Sequence, residues 1–275
     1  MSKIDVERYG HDGVLFPIPV LTAAEVEYFR SQVEDLEQRF GGHPKRIDLV
    51  QPHLFHRWAY DLVIHPAVLD AVEQILGPNI LVHSVSIFSK HAHTPDYVSW
   101  HQDGYYWGLD QPRLTSAWVA LSASYPENGC LRVMPGSHKK KWQYTDSARN
   151  KDNMDNVLST GLEIAVEIAE SEVVDVALSA GQMSLHHVNI AHGSKPNRSD
   201  DKRIGFAIRY VAPDVHQSLR HHEVVLARGR DDHHHYSILR EPPSGSIDEC
   251  LQAHAEFVRH WLAFRMESVK SQEAP

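Results

Sequence analysis

The sequence predicts a mostly-β, or α+β, core with helices at its two ends. Helical spacing of apolar residues occurs near the beginning and the end of the chain, whereas apolar runs of strand length fill the middle. The chain shows no internal repeat, low-complexity segment or linker-like stretch. We therefore expect one domain over residues 1–275, with a helical part over about 1–79, a strand-rich core over about 80–215 and a C-terminal loop and helix over about 216–275.

The helices are predicted from capping residues followed by apolar stripes. Thr22–Glu25 has the pattern of a capping box, and apolar residues then recur at three- and four-residue steps. Pro66 suits the first position of a further helix, which Gly77 is expected to end. Ser246–Glu249 has the pattern of another capping box before a C-terminal apolar stripe.

Strands are predicted from short runs rich in β-branched and apolar residues. These runs are Ile80–Lys90, Thr115–Leu121, Leu131–Met134, Val173–Leu178 and Ile204–Val211. The polar stretch Tyr144–Thr160 has few apolar residues and is predicted to be a surface loop or a lid.

Composition excludes several classes of function. A net charge of −9 and a pI of about 6.1 argue against a nucleic-acid partner. The N-terminus lacks the apolar segment of a signal peptide, and no apolar run approaches membrane-spanning length, so no membrane partner is expected. Two cysteines, Cys130 and Cys250, make a disulfide framework unlikely and fit a reducing cytoplasm. We expect a cytoplasmic monomer or homodimer that acts on a small molecule.

The segment from Trp100 to Gly104 places His101 and Asp103 two residues apart. In an extended strand these side chains point to the same face and can reach one metal ion. A second histidine from elsewhere would complete a 2-His-1-carboxylate triad, which leaves coordination positions open on one side and is typical of non-heme Fe(II) oxygenases. The motif alone is a weak signal, because the chain has 21 histidines and 36 acidic residues.

Three downstream histidines could supply the third ligand: His186, His187 and His192. Arg203 follows His192 by 11 residues and returns toward the same place if the chain turns near 196–201, so that its guanidinium could bind a carboxylate through two hydrogen bonds. Arg209 is the alternative, because it lies on the same strand face. Lys90 could also reach a carboxylate, although we expect it to extend into solvent.

An ordered set of motifs then points to a family. Around the two histidine segments the chain carries Ser116–Leu121, Glu127–His138, His192–Asn197 and Arg203–Tyr210. Together these motifs cover roughly residues 80–215 and resemble the phytanoyl-CoA dioxygenase (PhyH) family of Fe(II)/2-oxoglutarate-dependent oxygenases. The resemblance implies a double-stranded β-helix (a cupin-like jelly roll) for the core.

The same resemblance implies the site residues. His101, Asp103 and His192 would bind Fe(II), which selects His192 over its two rivals. Arg203, helped by Ser194, would bind the distal carboxylate of 2-oxoglutarate, and Gln102 and Trp118 would line the cosubstrate pocket.

Aromatic and cationic side chains near these motifs predict a site for a small polar or anionic molecule. The candidates are His56, Arg57, Tyr105, Tyr106, Trp107 and Arg132. Arg132 interrupts an apolar run and is expected to point into the core, whereas His56 and Arg57 could instead pack an N-terminal segment against it. The histidine-rich stretch at 232–235 is interpreted as a loop, since consecutive residues cannot all face one ion.

The expected reaction is hydroxylation of a C–H bond with O2 and 2-oxoglutarate, releasing succinate and CO2. A halogenase of the same fold is an alternative, but it requires the carboxylate ligand to be absent and Asp103 is present. A non-catalytic metal- or ligand-binding barrel is the alternative outside enzymes. Amino acids, natural products, phosphonates and acyl-CoA all stay open as substrates, although the net charge of −9 makes acyl-CoA less attractive.

Overall fold

The computed structural model describes residues 3–42, 44–105, 107–146, 155–157, 162–165, 167–218 and 223–272, and of 146, 162 and 262–272 only the backbone. Five α-helices occur in these ranges: α1 (Val6–Asp12), α2 (Ala23–Arg39), α3 (Arg57–Val63), α4 (Pro66–Leu76) and α5 (Ile247–Gln272). Twelve strands form antiparallel sheets. They are β1 (Val14–Pro19), β2 (Ile80–Lys90), β3 (Val98–His101), β4 (Leu114–Ala120), β5 (Leu131–Val133), β6 (Tyr144–Asp146), β7 (Leu162–Ile164), β8 (Val174–Val176), β9 (Gln182–His187), β10 (His192–Ser194), β11 (Arg203–Val211) and β12 (Val225–Arg228).

The large sheet has six strands in the order β1-β9-β4-β11-β2-β12, and its two faces differ in character. Along β11, Ile204, Phe206 and Tyr210 belong to the apolar cluster that also contains the buried sides of α2, α3 and α4. The alternate residues of β11, from Arg203 to Arg209, point to the opposite face, because side chains alternate along a strand. The helices therefore cover one face, and the other face is left for the site.

The smaller sheet has the order β3-β10-β5-β8 and packs against that second face. Leu131, Val133 and Val176 of this sheet form one apolar cluster with Trp118 and Ala207 of the large sheet. This double-sheet, mostly antiparallel architecture with a few helices confirms the mostly-β core predicted from the sequence and the jelly-roll fold that the family resemblance implies.

Most of the predicted elements are confirmed. The capping boxes at Thr22 and Ser246 are formed, and β2 spans the predicted Ile80–Lys90. Two strands lie outside the predicted core: β12 in the part predicted to be loop and helix, where it pairs with β2, and β1 in the part predicted to be helical, where it forms the edge of the large sheet against β9. Pro17 and Pro19 conceal this strand in the sequence, because proline is disfavoured in strands except at such edges.

The stretch predicted to be a loop or lid is described only in part. Its first residues form β6, which pairs with β7, and residues 147–154 and 158–160 lie outside the described residues. Asn156 hydrogen-bonds Ser99 of β3 through both its amide atoms. That this stretch acts as a lid stays a prediction. No helix in the ranges that the structure describes is long and apolar enough to cross a membrane.

Candidate active site

Three buried side chains meet in the space between the sheets. His101 ends β3, His192 begins β10, and Asp103 opens a short turn directly after β3. Their ligand atoms all lie within 4.8 Å of one another. Nε2 of His101 lies 3.4 Å and Nε2 of His192 lies 4.0 Å from Oδ1 of Asp103. The two histidines meet because β3 and β10 pair with His192 opposite His101.

Backbone carbonyls fix the orientation of both imidazoles. Nδ1 of His101 lies 2.9 Å from the carbonyl oxygen of Ser99, and Nδ1 of His192 lies 3.0 Å from that of Ile190. Because a carbonyl only accepts, both Nδ1 atoms carry a proton, and each Nε2 points to the cluster, where its deprotonated form can bind a metal. Burial, followed by the charge of His101, lowers the pKa of His192, which favours the neutral ring that a metal requires.

Asp103 is buried and remains ionised. Burial alone would raise its pKa, but the neighbouring His101, His192 and Arg209 outweigh burial and hold the pKa below its usual range. Its Oδ2 has no hydrogen-bond partner in the described part of the chain, and the closest cation there is Nε of Arg209 at 3.7 Å. Two neutral imidazoles and a carboxylate with an unpartnered oxygen fit Fe(II) as a donor set.

The two rival histidines lie elsewhere. His186 points to the same inner face, with its ring centroid 5.3 Å from that of His192, but it is not part of the cluster. His187 points to the other face, where its ring approaches His138 and its Nδ1 accepts a hydrogen bond from the backbone of Asn189.

A second polar group lies where β2 pairs with β11. Arg203 stands opposite Lys90 in the register, and both side chains are buried. Lys90 donates hydrogen bonds to Oγ of Ser194 (2.7 Å) and to the carbonyl oxygen of Lys195 (2.5 Å). The prediction that Lys90 extends into solvent is therefore wrong. Burial and the charge of Arg203 lower the pKa of Lys90 to about 6.

Arg203 lies over the indole of Trp118, with its guanidinium carbon 5.4 Å from the ring centroid. Its Nε has no hydrogen-bond partner, and neither Arg203 nor Lys90 forms an ion pair, as far as the chain is described. Burial lowers the pKa of Arg203 to about 10. Arg203 is thus a buried cation without a carboxylate, and Lys90 beside it adds hydrogen-bond donors. This arrangement favours the binding of an anion, since a buried charge is costly unless it is paired.

Gly205 makes the close packing of Trp118 possible. A Cβ at Gly205 would overlap the six-membered ring of that indole. Because Arg203 lies over Trp118, the absence of a side chain at Gly205 helps to position the guanidinium of Arg203.

Gln102 lies between the metal ligands in sequence, but its side chain is engaged with the protein. Its amide nitrogen donates to the carbonyl oxygen of Asn189, and its amide oxygen accepts a 2.7 Å hydrogen bond from the hydroxyl of Tyr144. Tyr105 is largely exposed and stacks on Tyr144, with ring centroids 3.8 Å apart. Contact of Gln102 with the cosubstrate stays a prediction. Tyr106 lies outside the described residues.

Arg209 and Trp107 lie close to the triad. The guanidinium carbon of Arg209 is 5.9 Å from the Trp107 ring centroid and 5.8 Å from that of Phe88, and its Nη1 donates to Oγ of Ser86 at 3.1 Å. Burial lowers the pKa of Arg209, and the carboxylate of Asp103 opposes that effect.

The inward orientation predicted for Arg132 is wrong. Its register partner is Gly193, so it points away from the face that carries His192. There it forms ion pairs with Glu170 and with Asp175 (3.0 Å) and lines a cavity of about 290 Å³ on the outer side of the smaller sheet. These carboxylates, distant in sequence, give the buried arginine partners that no local pattern could reveal.

The contacts of His56 and Arg57 are with residues outside the triad. His56 packs against Trp58 and against His254 of α5, and Trp58 meets Phe206 on the outer face of the large sheet. Arg57 pairs with Asp61 on α3. Packing of this segment against the core therefore comes from Trp58 and His56, and a contact of His56 or Arg57 with the substrate stays a prediction. In the described residues the histidine-rich stretch at 232–235 forms no metal cluster.

Sequence reasoning missed Arg46. Its guanidinium carbon lies 4.7 Å from the centroid of Phe88, the same ring that lies 5.8 Å from the guanidinium carbon of Arg209. It begins the short 3-10 helix Arg46–Leu49 and precedes Phe88 by 42 residues, so no spacing or periodicity connects the two.

The fold and this site together define the class of Fe(II)/2-oxoglutarate-dependent oxygenases. The family model for phytanoyl-CoA dioxygenase (PhyH) matches residues 9–205, and the chain belongs to that family. The predicted class of enzyme and its cofactors, Fe(II) and 2-oxoglutarate, are thereby confirmed.

Similar proteins support this assignment. The chain is 31% identical over 227 residues to L-proline trans-4-hydroxylase of Streptomyces griseoviridis, covering 74% of this chain and 84% of that one. It is 27% identical over 187 residues to a probable alpha-ketoglutarate-dependent hypophosphite dioxygenase of Stutzerimonas stutzeri, covering 67% of this chain and 64% of that one. The solved apo structure of the non-heme monooxygenase ThoJ superimposes with a TM-score of 0.80 at 32% identity, covering 98% and 100% of the two chains.

Proposed function

We propose that this protein hydroxylates a C–H bond of a small polar or anionic organic molecule, using Fe(II), 2-oxoglutarate and O2 and releasing succinate and CO2. The observation that carries the proposal is the buried cluster of His101, Asp103 and His192, whose ligand atoms lie within 4.8 Å of one another. Backbone carbonyls hold its two imidazoles with Nε2 directed at the cluster. Among curated relatives, the names of two refer to L-proline and to hypophosphite, both small and polar.

His101, Asp103 and His192 would hold Fe(II), and three ligands on one side leave the opposite side for other molecules. The bound metal with 2-oxoglutarate supplies the oxidation of the C–H bond by O2. The chain itself positions the groups that react and excludes water, since all three ligands are buried.

Arg203 and Lys90 would bind the distal carboxylate of 2-oxoglutarate. Arg203 has an unpartnered Nε within the described residues, and Lys90 is held next to it by Ser194. A carboxylate between them would balance buried positive charge with charge-assisted hydrogen bonds. In this arrangement Ser194 acts through Lys90, and Trp118 forms the wall against which Arg203 lies.

The halogenase alternative is not favoured. Asp103 occupies the ligand position that halide would need, and its Oδ1 faces both histidines. A non-catalytic barrel is also disfavoured, because all three members of the triad are present and the similar proteins are named as a dioxygenase and a hydroxylase.

The test is spectroscopic first and chemical second. Anaerobic Fe(II) and 2-oxoglutarate should produce the weak visible charge-transfer band of a keto acid bound to iron through two atoms, which requires two open neighbouring positions. O2 and a screen of small acids, amino acids and phosphonates should then give substrate-dependent succinate and a product with one added oxygen atom. Chlorinated product that depends on chloride would support the halogenase, and folded, iron-loaded protein without band or succinate would support the non-catalytic barrel.

A further inference from the structure

Three polar side chains form one row across the inner face of the large sheet. Arg209 of β11 pairs with Ser116 of β4, and Ser116 pairs with His186 of β9. Side chains in one row of a sheet lie next to each other, because neighbouring strands are about 4.8 Å apart. The row crosses the sheet directly beside the metal cluster: Arg209 approaches Asp103, and the His186 ring approaches that of His192.

Each member of this row has a buried polar atom without a partner. These atoms are Nε of Arg209, Oγ of Ser116 and Nδ1 of His186, none of which makes a hydrogen bond to the described residues. The three residues are 9%, 1% and 4% exposed, so solvent is a poor substitute for a partner. Buried polar groups are nearly always hydrogen-bonded, and three unpartnered ones in one row point to a missing ligand.

The row is separate from the receptor for the cosubstrate. Arg209 and Arg203 are six residues apart on β11, which corresponds to about 20 Å between their Cα atoms along the strand. Arg203 is at the end of the strand near Lys90 and Ser194, whereas Arg209 is at the end near Ser84 and Ser116. The two guanidinium groups therefore contact different partners: that of Arg203 lies over Trp118, and that of Arg209 lies beside Asp103 and Ser86.

A count of buried charges shows what the row lacks. Fe(II) and Asp103 together carry one positive charge, and adding dianionic 2-oxoglutarate and Arg203 brings the sum to zero when Lys90, whose pKa burial lowers to about 6, is counted as neutral. Arg209 then contributes a further positive charge, and the carboxylate nearest to it among the described residues is Asp103 at 3.7 Å, which would also hold the metal. A buried charge needs a counter-charge and hydrogen bonds.

We propose that Arg209, with Ser116 and His186, binds a singly charged oxyanion of the substrate, such as a carboxylate, phosphonate or phosphinate. Trp107 and Phe88, whose ring centroids lie within 6 Å of the Arg209 guanidinium carbon, bound the space in which the rest of a small substrate would lie. This inference rests on the proposed function and narrows its substrate class to anions.

The test separates anion binding from catalysis. Protein loaded anaerobically with Mn(II) and 2-oxoglutarate is titrated with methylphosphonate, and paramagnetic broadening of its 31P signal reports binding near the metal. Acetate, and its neutral isostere acetamide, then compete for the site. We expect that acetate relieves the broadening and acetamide does not. Whichever of methylphosphonate and acetate binds with the higher affinity identifies the preferred oxyanion.

The variants are Arg209→Leu, Arg209→Lys and Ser116→Ala, with Arg57→Leu as the control because Arg57 pairs with Asp61 outside the core. Loss of a charged partner should weaken methylphosphonate binding at least roughly 10-fold in Arg209→Leu. Ser116→Ala should weaken it less, Arg209→Lys should retain part of it, and Arg57→Leu should bind as the parent protein does.

The outcomes distinguish this inference from the proposed function. The Fe(II)–2-oxoglutarate band should be present in every variant, and its absence from the parent protein would contradict the proposed function itself. If the band is present but neither anion binds, or if binding is unchanged in Arg209→Leu, the inference is wrong. If Arg209→Leu instead loses the band, Arg209 serves only to position Asp103.

Discussion

At the scale of single residues, the metal cluster depends on the buried carboxylate of Asp103, whose ionised form would be unfavourable without the residues around it. Asp103 stays ionised although it is buried, because the imidazoles and Arg209 surround it. A metal ion stabilises the same ionised form. The carboxylate is therefore prepared for metal binding by the residues around it rather than by solvent.

Replacing Asp103 by alanine should remove the anionic ligand and abolish the charge-transfer band. The loss of Fe(II) affinity should exceed the roughly 10–100-fold that removing a hydrogen-bond partner of a ligand costs. The loss of Fe(II) is measured as the metal content after anaerobic gel filtration, and the loss of the band is measured in the visible spectrum. His187→Ala is the matched control, since His187 faces away from the cluster and should leave the band intact. Full turnover by Asp103→Ala would exclude the proposed triad.

Replacing Arg203 by leucine should raise the requirement for 2-oxoglutarate about 100-fold or more. The variant leaves the distal carboxylate without its bidentate partner, and removing one partner of a buried charge pair costs roughly 2–5 kcal/mol. Titration of the charge-transfer band with 2-oxoglutarate measures the effect. Arg209→Leu should change this requirement far less, and the opposite order would place the cosubstrate at Arg209.

The metal cluster could be predicted from the sequence, whereas the surroundings could not. The two-residue spacing of His101 and Asp103 predicts these ligands, and the motif that follows His192 predicts the third. Lys90 and Arg132 were misinterpreted because their burial depends on pairing across strands: one meets Ser194, the other Glu170 and Asp175. No property of the adjacent sequence distinguishes these cases from solvent-exposed side chains.

At the scale of secondary structure, β11 supplies both arginines of the site and is the central strand between β4 and β2. Its alternation places Ile204, Phe206 and Ile208 against the helices while Arg203 and Arg209 face inward. A central, fully paired strand is a rigid support, which suits side chains that must hold a charged ligand at a fixed position.

Gly205→Ala tests how tightly this strand is packed. The new Cβ would overlap the indole of Trp118, so the ring and the guanidinium of Arg203 above it must move. Overpacking of this kind costs roughly 1–3 kcal/mol of stability. We expect a lower Tm and a higher 2-oxoglutarate requirement, measured by calorimetry and by titration of the visible band.

Gly10→Ala is the comparison for this variant, because Gly10 lies in α1 with no atom within 4 Å of a new Cβ. Alanine there should stabilise the protein by roughly 0.5–1 kcal/mol, since glycine is unfavourable within a helix. An unchanged 2-oxoglutarate requirement in Gly205→Ala would show that the indole does not support Arg203.

At the scale of the whole molecule, stability and function lie on opposite faces of the large sheet. The outer face is apolar and packs on helices, whereas the inner face carries Lys90, Arg203, Arg209 and unpartnered hydroxyls. Buried polar groups without partners destabilise a fold. The unpartnered polar groups should therefore lower the free energy of unfolding of the ligand-free protein. Part of this loss of stability should depend on pH.

Lys90 makes this pH dependence testable. Its pKa is lowered by burial from 10.5 to about 6, so between these values the unfolded chain binds a proton that the folded protein does not. Stability must then rise with pH across this window, at most by about 1.4 kcal/mol per pH unit. Urea unfolding of the metal-free protein at several pH values should show this slope, and Lys90→Met should reduce it. Arg228→Met, which removes a cation paired with Asp70 and Glu73 outside the site, should keep it. Equal slopes in the parent protein and Lys90→Met would mean that Lys90 stays protonated in the fold, with Ser194 and the carbonyl of Lys195 compensating for its burial.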